Sequence, residues 1–448
     1  MRLDRGHLAA APAPRLCLDC NDPHFQVANR TSVSDRVIRE PAFVTSKSAF
    51  AAPAKREDEV VLLVPRMKHQ GYDAGCVRSR REWVEKKTGC RLRHVGSYSI
   101  LSEDMRGNVE NPVGAAQVPL GVAGPLLIHG DQANGTFYVP LATTEGALVR
   151  SYERGMVTLT RAGGVSVRVH MDENRVSPVF LFEDVAEAHE FDQNLLNHFE
   201  LVRAEAESTT QHGKLLRIEC QPIGREMIVN FCYFTSDAQG MNMIVKATDR
   251  ACRWILSHSR ARGFYIFSGL CSEKRATGCL FSGGKGKKVT AGARIAPEIV
   301  SAYLHSTPQQ IFDVWHHTVL GHVHAGSIGY NAHYANGLAA LYIACGQDVA
   351  NVANSAVGIT NFEVSKDGDL YASVTLPSLT VATVGGGTGL GTSRECLELL
   401  GCAGGGHAVK FAEVVAATLL AGEISMGAAI ATHEFVSAHE TYGRNKPH

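Results

Sequence analysis

The stretch Val139–Gly155, VPLATTEGALVRSYERG, sets how the rest of the chain is read. It begins apolar and extended, then presents Thr143, Thr144 and Glu145 ahead of the apolar pair Ala147 and Leu148. Thr-Thr-Glu-Gly reads as a helix entrance, with a threonine hydroxyl to cap free N–H groups and Glu145 early in the helix. The ordinary explanation for such a glutamate is that it complements the helix dipole. A chemical role for Glu145 needs partners elsewhere in the chain.

Around this stretch lie 448 residues, enough for two or three domains with cores of their own. Hydrophobic residues make up 45% and charged residues 20%, as in ordinary globular proteins. Lys+Arg and Asp+Glu balance at 44 each, so no global field favours nucleic acid or anionic membrane. The 12 cysteines follow no framework spacing, and the Cys17–Cys20 pair has no second pair to complete a zinc site. They read as small buried hydrophobes in a reducing compartment. No apolar run is expected to reach membrane-spanning length. Val414–Ala431 is the most apolar region, but Glu423 interrupts it and its Ala and Gly content suits a buried helix. With no signal-peptide core at the N-terminus, the expected location is cytoplasmic.

Residues 1–75 read as a flexible leader, followed by a charged helix over Asp73–Lys87. Asn108–Ile128, NVENPVGAAQVPLGVAGPLLI, suggests loops and short strands in close backbone contact. Between Val165 and Ile266 the pattern is strand, helix (Val185–Thr210), strand, strand, helix. That order suggests a compact α+β insert whose small sheet is covered on one side. Pro308–Gln347 reads as interrupted helix, and Val409–Arg444 as one long apolar helix.

Three familiar motifs fail here. Gly283-Gly284-Lys285 is followed by Gly286 and a strand-like run, so it is no phosphate-binding P-loop. Left to itself, the basic stretch Ser268–Arg294 reads as a solvated hairpin. His316, His317, His322, His324 and His333 lack His-Glu-x-x-His spacing and a nearby carboxylate, so no metal is expected. Val384–Leu390, VGGGTGL, lets backbone N–H groups approach an anion at a helix start, but does not sit in a βαβ dinucleotide unit.

Read together, several segments are similar to one family. VPLATTEGALVRSYERG, Asp237–Met243 (DAQGMNM), Ser272–Arg275 (SEKR), Ala325–Asn336, Ile343–Asp348 (IACGQD), VGGGTGL and Ala421–Arg444 resemble the catalytic region of 3-hydroxy-3-methylglutaryl-CoA (HMG-CoA) reductases, in order. Glu110–Leu126 resembles the family's dimer-forming segment. The Glu-Lys-Arg segment resembles the class that includes eukaryotic and many archaeal enzymes.

The resemblance implies reduction of HMG-CoA to mevalonate and CoA by two hydride transfers from NADPH, with NADH the alternative, and no metal. It implies four catalytic residues. Lys274 steadies the charge that develops on the carbonyl oxygen, Glu145 supplies protons, Asp348 tunes both, and His439 protonates the departing thiolate. For the substrate it implies Ser151, Arg154, Ser268, Glu273, Arg275, His333 and Asn336. Glu273 stands for the usual aspartate and Arg275 for a second lysine. A family arginine aligns with Val176, and Arg175 is the candidate in its place. For the cofactor it implies Thr210, Gln211, Asp237, Met241, Asn242, Met243, Gly386, Gly387 and Thr388. Gln211 replaces an arginine that meets the 2′-phosphate of NADPH, and Lys214 or Arg217 is the candidate substitute.

The fold implied is a multidomain α+β and α/β protein. Its large domain surrounds a long central helix, and a small ferredoxin-like α+β cofactor domain is inserted. The boundaries expected are a leader over 1–75, an N-terminal helical segment with the first part of the large domain over 76–163, the NAD(P)-binding insert over 164–266, and the rest of the large domain over 267–448. The active site is expected at the interface of a homodimer or larger homo-oligomer, with no nucleic-acid or membrane partner. Two rivals stand beside this: the same site oxidising mevalonate with NAD, and a catalytically silent CoA-binding relative. Keeping Glu145, Lys274, Asp348 and His439 together argues against silence. Comparing both cofactors in both directions separates the other two.

Overall fold

The computed structural model describes residues 63–66 and 71–434. The leader up to residue 62, Cys17, Cys20 and His439 lie outside the described residues. Helix α1 (Ala74–Thr88) starts where Asp73 accepts the Cys76 N–H at 2.9 Å and stops at Gly89, whose φ is 71°. Strands β1 (Leu120–His129) and β2 (Asn134–Ala142) form an antiparallel hairpin. Helix α2 (Leu148–Arg161) leads into the long strand β3 (Val165–Val176). Then come β4 (Val179–Leu181), α3 (Val185–Asn197), α4 (Phe199–Glu207), β5 (Lys214–Ile223), β6 (Glu226–Phe234), α5 (Met241–Ser257) and β7 (Gly263–Tyr265). The last third holds β8 (Lys285–Ile295), α6 (Pro297–Leu304), α7 (Pro308–His324), α8 (Tyr334–Ala344), α9 (Val352–Ser355), β9 (Ile359–Val364), β10 (Leu370–Leu379), α10 (Gly391–Leu399) and α11 (Ala408–Ala431).

Among the described residues all ten strands join one sheet, in the order β7-β4-β6-β3-β8-β10-β9, with β5 along β6 and the β1–β2 hairpin attached through β1 to β3. The pairings are antiparallel except β1 with β3. β3 is the seam. It pairs with β8 over Ser166–Asn174 and with β6 over Asn174–Val176. Two hydrophobic cores lie on either side of that seam. One gathers Val165 and Val167 with α2, α8, α11 and strands β8 and β10. The other begins at Val176 and packs Phe180, Phe182, Phe191, Phe231, Ile244 and Ile255.

α11 runs through the first core. At 24 residues it spans about 36 Å. It is apolar and long enough to cross a membrane, but 78% of its most apolar window is buried inside the protein. Its small residues allow close crossings. A Cβ on Gly155 of α2 would lie 1.9 Å from the Ala421 carbonyl oxygen, and one on Gly422 would lie 2.6 Å from the Tyr152 ring. Both of its buried carboxylates are satisfied. Glu413 accepts the N–H groups of Asp131, Gln132 and Ala133, which closes the β1–β2 turn. Glu423 accepts from the His333 and Ala332 backbone and from the Thr360 hydroxyl, although burial pushes its carboxyl upward.

The structure corrects five expectations from the sequence. Glu145 is not inside a helix: α2 begins at Leu148, because Ala147 takes a left-handed conformation and the Thr143 hydroxyl caps the Glu145 N–H instead. The helix expected over Val185–Thr210 is two helices broken at His198. The long C-terminal helix ends at Ala431, with His433 left-handed at φ 58°. One run does reach membrane-spanning length, in α11. The basic hairpin is not solvated. Lys285 and Lys287 are buried, because alternate residues of β8 from Ile295 back to Lys285 face inward.

Candidate active site

Lys274 sits on the loop between β7 and β8. The Ser268 hydroxyl donates to the Ser177 carbonyl at 2.8 Å and anchors one end of that loop. Ser272 and Thr277 share a hydroxyl bond of 2.6 Å across its neck. Ser272 and Lys274 are both left-handed, with φ near 55°. The Lys274 ammonium meets the Asp348 carboxylate at 2.7 Å. Asp348 is fixed in turn, because it caps the short turn after α8 by accepting the Ala350 N–H. Its hydrogen bond raises the Lys274 pKa above the ordinary lysine value and outweighs the opposing effect of burial. The ammonium therefore stays charged well above neutral pH.

Glu145 is exposed in the β2–α2 connection, and the Asn336 amide donates to both of its oxygens at 3.1 Å. Asn336 is in the first turn of α8 and Asp348 follows the end of that helix. From Asn336 to Ala344 the helix rises about 12 Å. One chain thus holds the Glu145–Asn336 pair and the Lys274–Asp348 pair at opposite ends of α8.

The other sequence candidates fall into separate groups. On α2, the Ser151 hydroxyl meets Ser425 at 3.2 Å, and Arg154 donates to the Ser425 side chain and carbonyl and pairs with Glu434. These two residues face the end of α11. His333 is buried and stacks on Tyr152 with ring centroids 4.8 Å apart. No described residue hydrogen-bonds either ring nitrogen, and burial lowers its pKa to about 4. Arg175 is buried on β3 and donates to the Gly283 carbonyl at 2.8 Å, while Val176 belongs to the second core. The Glu273 carboxylate points under the loop to the Lys285 ammonium. Arg275 is exposed.

Among the cofactor candidates, the Thr210 hydroxyl meets the Met243 sulfur at 2.9 Å and also accepts the His212 and Gly213 N–H groups. This draws the Gln211 turn to the start of α5. Asn242 and Gln211 are exposed there. Gly240 is the N-cap of α5 and no side chain caps that helix. Asp237 accepts the Gly406 and Ala408 N–H groups at the start of α11, and its carbonyl accepts from Thr383 and Val384. Burial pushes its carboxyl up, but these bonds prevail and hold it below the ordinary value. Gly386, Gly387 and Thr388 form a tight turn packed on Gly346, two residues before Asp348. An uncapped helix start beside an exposed glycine turn suits a dinucleotide pyrophosphate. The cations proposed for a 2′-phosphate are engaged: Lys214 pairs with Glu207, and Arg217 with Glu173 and Glu219.

Sequence reasoning missed Ser425, Glu434, Gln239 and Lys285. For Lys285 a signal was present, in the period-2 alternation of β8. For the others there was none, because their partners are remote in sequence.

A lysine kept charged by an aspartate suits a carbonyl oxygen that gains negative charge. Comparison with known proteins narrows this. The sequence pattern of hydroxymethylglutaryl-coenzyme A reductase matches residues 76–444. The chain is 43% identical over 373 residues to the 3-hydroxy-3-methylglutaryl-coenzyme A reductase of Methanothermobacter thermautotrophicus, covering 82% of this chain and 93% of that one. It is 44% identical over 374 residues to that of Aeropyrum pernix, covering 82% and 89%. The chain belongs to the hydroxymethylglutaryl-coenzyme A reductase family. Its fold is similar to that of the class II reductase of Streptococcus pneumoniae bound to NADPH in open conformations, with a TM-score of 0.61 at 18% identity over 81% of this chain and 100% of that one.

Proposed function

We propose that this chain reduces HMG-CoA to mevalonate and CoA with NADPH, in the mevalonate route to isoprenoids. The observation that carries this is the Lys274–Asp348 pair at 2.7 Å, in a chain of this family. The nicotinamide supplies a hydride twice. The protein supplies the rest. Lys274 offers its ammonium to the thioester oxygen as negative charge grows there, and Asp348 keeps that ammonium protonated and aimed. Glu145, oriented by Asn336, delivers protons to the oxygen. His439 is proposed to protonate the CoA thiolate, so that it does not add back to the aldehyde. Ser268 and Arg275 line the loop that would take the HMG carboxylate. Ser151, Arg154 and His333 are proposed on the CoA side, with Arg175 behind the loop.

The elements from β4 to β7 are proposed as the inserted ferredoxin-like cofactor domain, within residues 164–266. Their strand order, β7-β4-β6-β5, supports this, as does their own hydrophobic core. Thr210, Gln211, Asp237, Met241, Asn242 and Met243 then line the cofactor with Gly386, Gly387 and Thr388. Residues 76–163 and 267–448 form the large domain. We also propose a homodimer whose second copy completes the site, acting in the cytoplasm. The separation of the two pairs along α8 supports the dimer. So do the exposed Val118, Leu120, Val122 and Tyr138 on and beside the β1–β2 hairpin.

The test is spectrophotometric. Purified protein should oxidise NAD(P)H only when HMG-CoA is present, and should release one CoA for every two cofactors consumed. Lys274→Ala should lower kcat by roughly 10³-fold. Activity undiminished in that variant would sink the mechanism.

A further inference from the structure

Lys285 is the first residue of β8 and its side chain is fully buried. A lysine is an expensive choice for such a position, because a buried ammonium must be paired and hydrogen-bonded. Its partner is the carboxylate of Glu273, the residue immediately before Lys274. Its nitrogen also lies 3.1 Å from the Met241 sulfur, in the first turn of α5. The other Glu273 oxygen accepts from the Gln239 amide at 3.4 Å, and the Gln239 carbonyl accepts from Asn174 at 3.1 Å. The carboxylate beneath Lys274 is thereby tied to β8 and to the Asp237–Met243 segment.

The loop needs such a tie. Ser272 and Lys274 both hold left-handed backbones, which non-glycine residues adopt only when their surroundings enforce it. Glu273 lies between them. Pulled down by Lys285, it fixes both neighbours and turns Lys274 up toward Asp348. A free Glu273 carboxylate would also repel an anionic substrate carboxylate at the same loop.

We infer that Lys285 is a positioning residue for the reaction: by holding Glu273 under the loop, and by touching Met241, it sets the aim of Lys274 and ties that aim to the cofactor segment. The inference rests on the reductase reading above and assigns Glu273 to the loop's foundation instead of to the substrate. Ser268 and Arg275 are left to meet the substrate carboxylate.

The experiment compares wild type with Lys285→Met, Lys285→Arg and the double variant Lys285→Met/Glu273→Met. The double variant leaves no unpaired buried charge and so guards against a loss that reflects misfolding alone. Each protein is checked for thermal midpoint and oligomeric state. HMG-CoA-dependent NADPH oxidation is then measured for kcat and for both KM values. A misaimed catalytic group costs on the order of 100-fold in rate. Lys285→Met should show such a fall in kcat. Lys285→Arg should recover part of it. The double variant should regain the thermal midpoint while its kcat stays low. The alkaline limb of the Lys285→Met rate profile should move to lower pH, as Lys274 loses Asp348 while Glu273 stays in place.

A double variant that is stable and has wild-type kcat would show that Lys285 serves packing only and overturn the inference. A Lys285→Met variant with unchanged kcat would do the same. If wild type itself shows no HMG-CoA-dependent oxidation, it is the reductase reading that fails.

Discussion

Burial of His333 makes the fold sensitive to acid in a window that can be calculated. The ring is 3% exposed and stacked on Tyr152, and no described residue hydrogen-bonds either nitrogen. Its pKa falls from the ordinary 6.5 to about 4, through desolvation alone. In the unfolded chain the same ring takes up a proton near the ordinary value. Between those two pH values the unfolded state binds more protons than the folded one, so stability falls as pH falls. Each pKa unit corresponds to about 1.4 kcal/mol, so the contribution lost between pH 7 and pH 4 is about 3 kcal/mol. Below that range it is constant. His333→Phe keeps a stacked ring and removes the titration, and no side-chain hydrogen bond to a described residue is lost. Urea unfolding followed by tryptophan fluorescence at several pH values from 4 to 7.5 gives both curves. The wild-type curve should be steeper by that amount. Parallel curves would refute the reasoning, because they would mean that the ring ionises as readily folded as unfolded.

Gly155→Ala should destabilise the fold by at least about 3 kcal/mol, because the new methyl meets a backbone oxygen that no rotamer change can move; a thermal midpoint within one degree of wild type would contradict this. Asp237→Asn should lower the thermal midpoint at pH 7. Asp237 has a depressed pKa in the folded state, so its contribution is present above the ordinary carboxylate value of 3.8 and is lost as pH falls through the folded value. The gap between variant and wild type should therefore close in acid. Lys214 and Arg217 can meet a 2′-phosphate only by leaving Glu207 and Glu173, so kcat/KM for NADPH and NADH should differ by less than about tenfold, a gap of less than about 1.4 kcal/mol in transition-state binding. A preference of a thousandfold would point to a free cation at the site.

Local chemistry made part of the architecture legible. The charged helix expected from Asp73 does start there, because the Asp73 side-chain oxygen caps the Cys76 N–H without help from the rest of the fold. The composition of Val414–Ala431 announced a buried helix, since a segment with so little polar surface has to be covered. The candidate site was legible as residue types in order: Lys274 and Asp348 were named from separate motifs, and they meet. Glu145 and Asn336 were also named separately, and they meet too.

Tertiary contacts decided the rest. Nothing local says that Ala147 turns left-handed and leaves Glu145 outside α2. Nothing local separates Arg217, held by a glutamate 44 residues away, from a cation free to bind phosphate. Nothing local says that the Tyr152 ring stacks on His333 and buries it. Nothing local says that β8 brings a buried ammonium to the Glu273 carboxylate. Sequence by itself determined which groups this protein has and which stretches are helical, because an apolar or charged pattern depends on neighbours a few residues away. Which of those groups face the substrate and which are consumed in holding the fold depends on partners brought together only when β3, β8 and α11 pack.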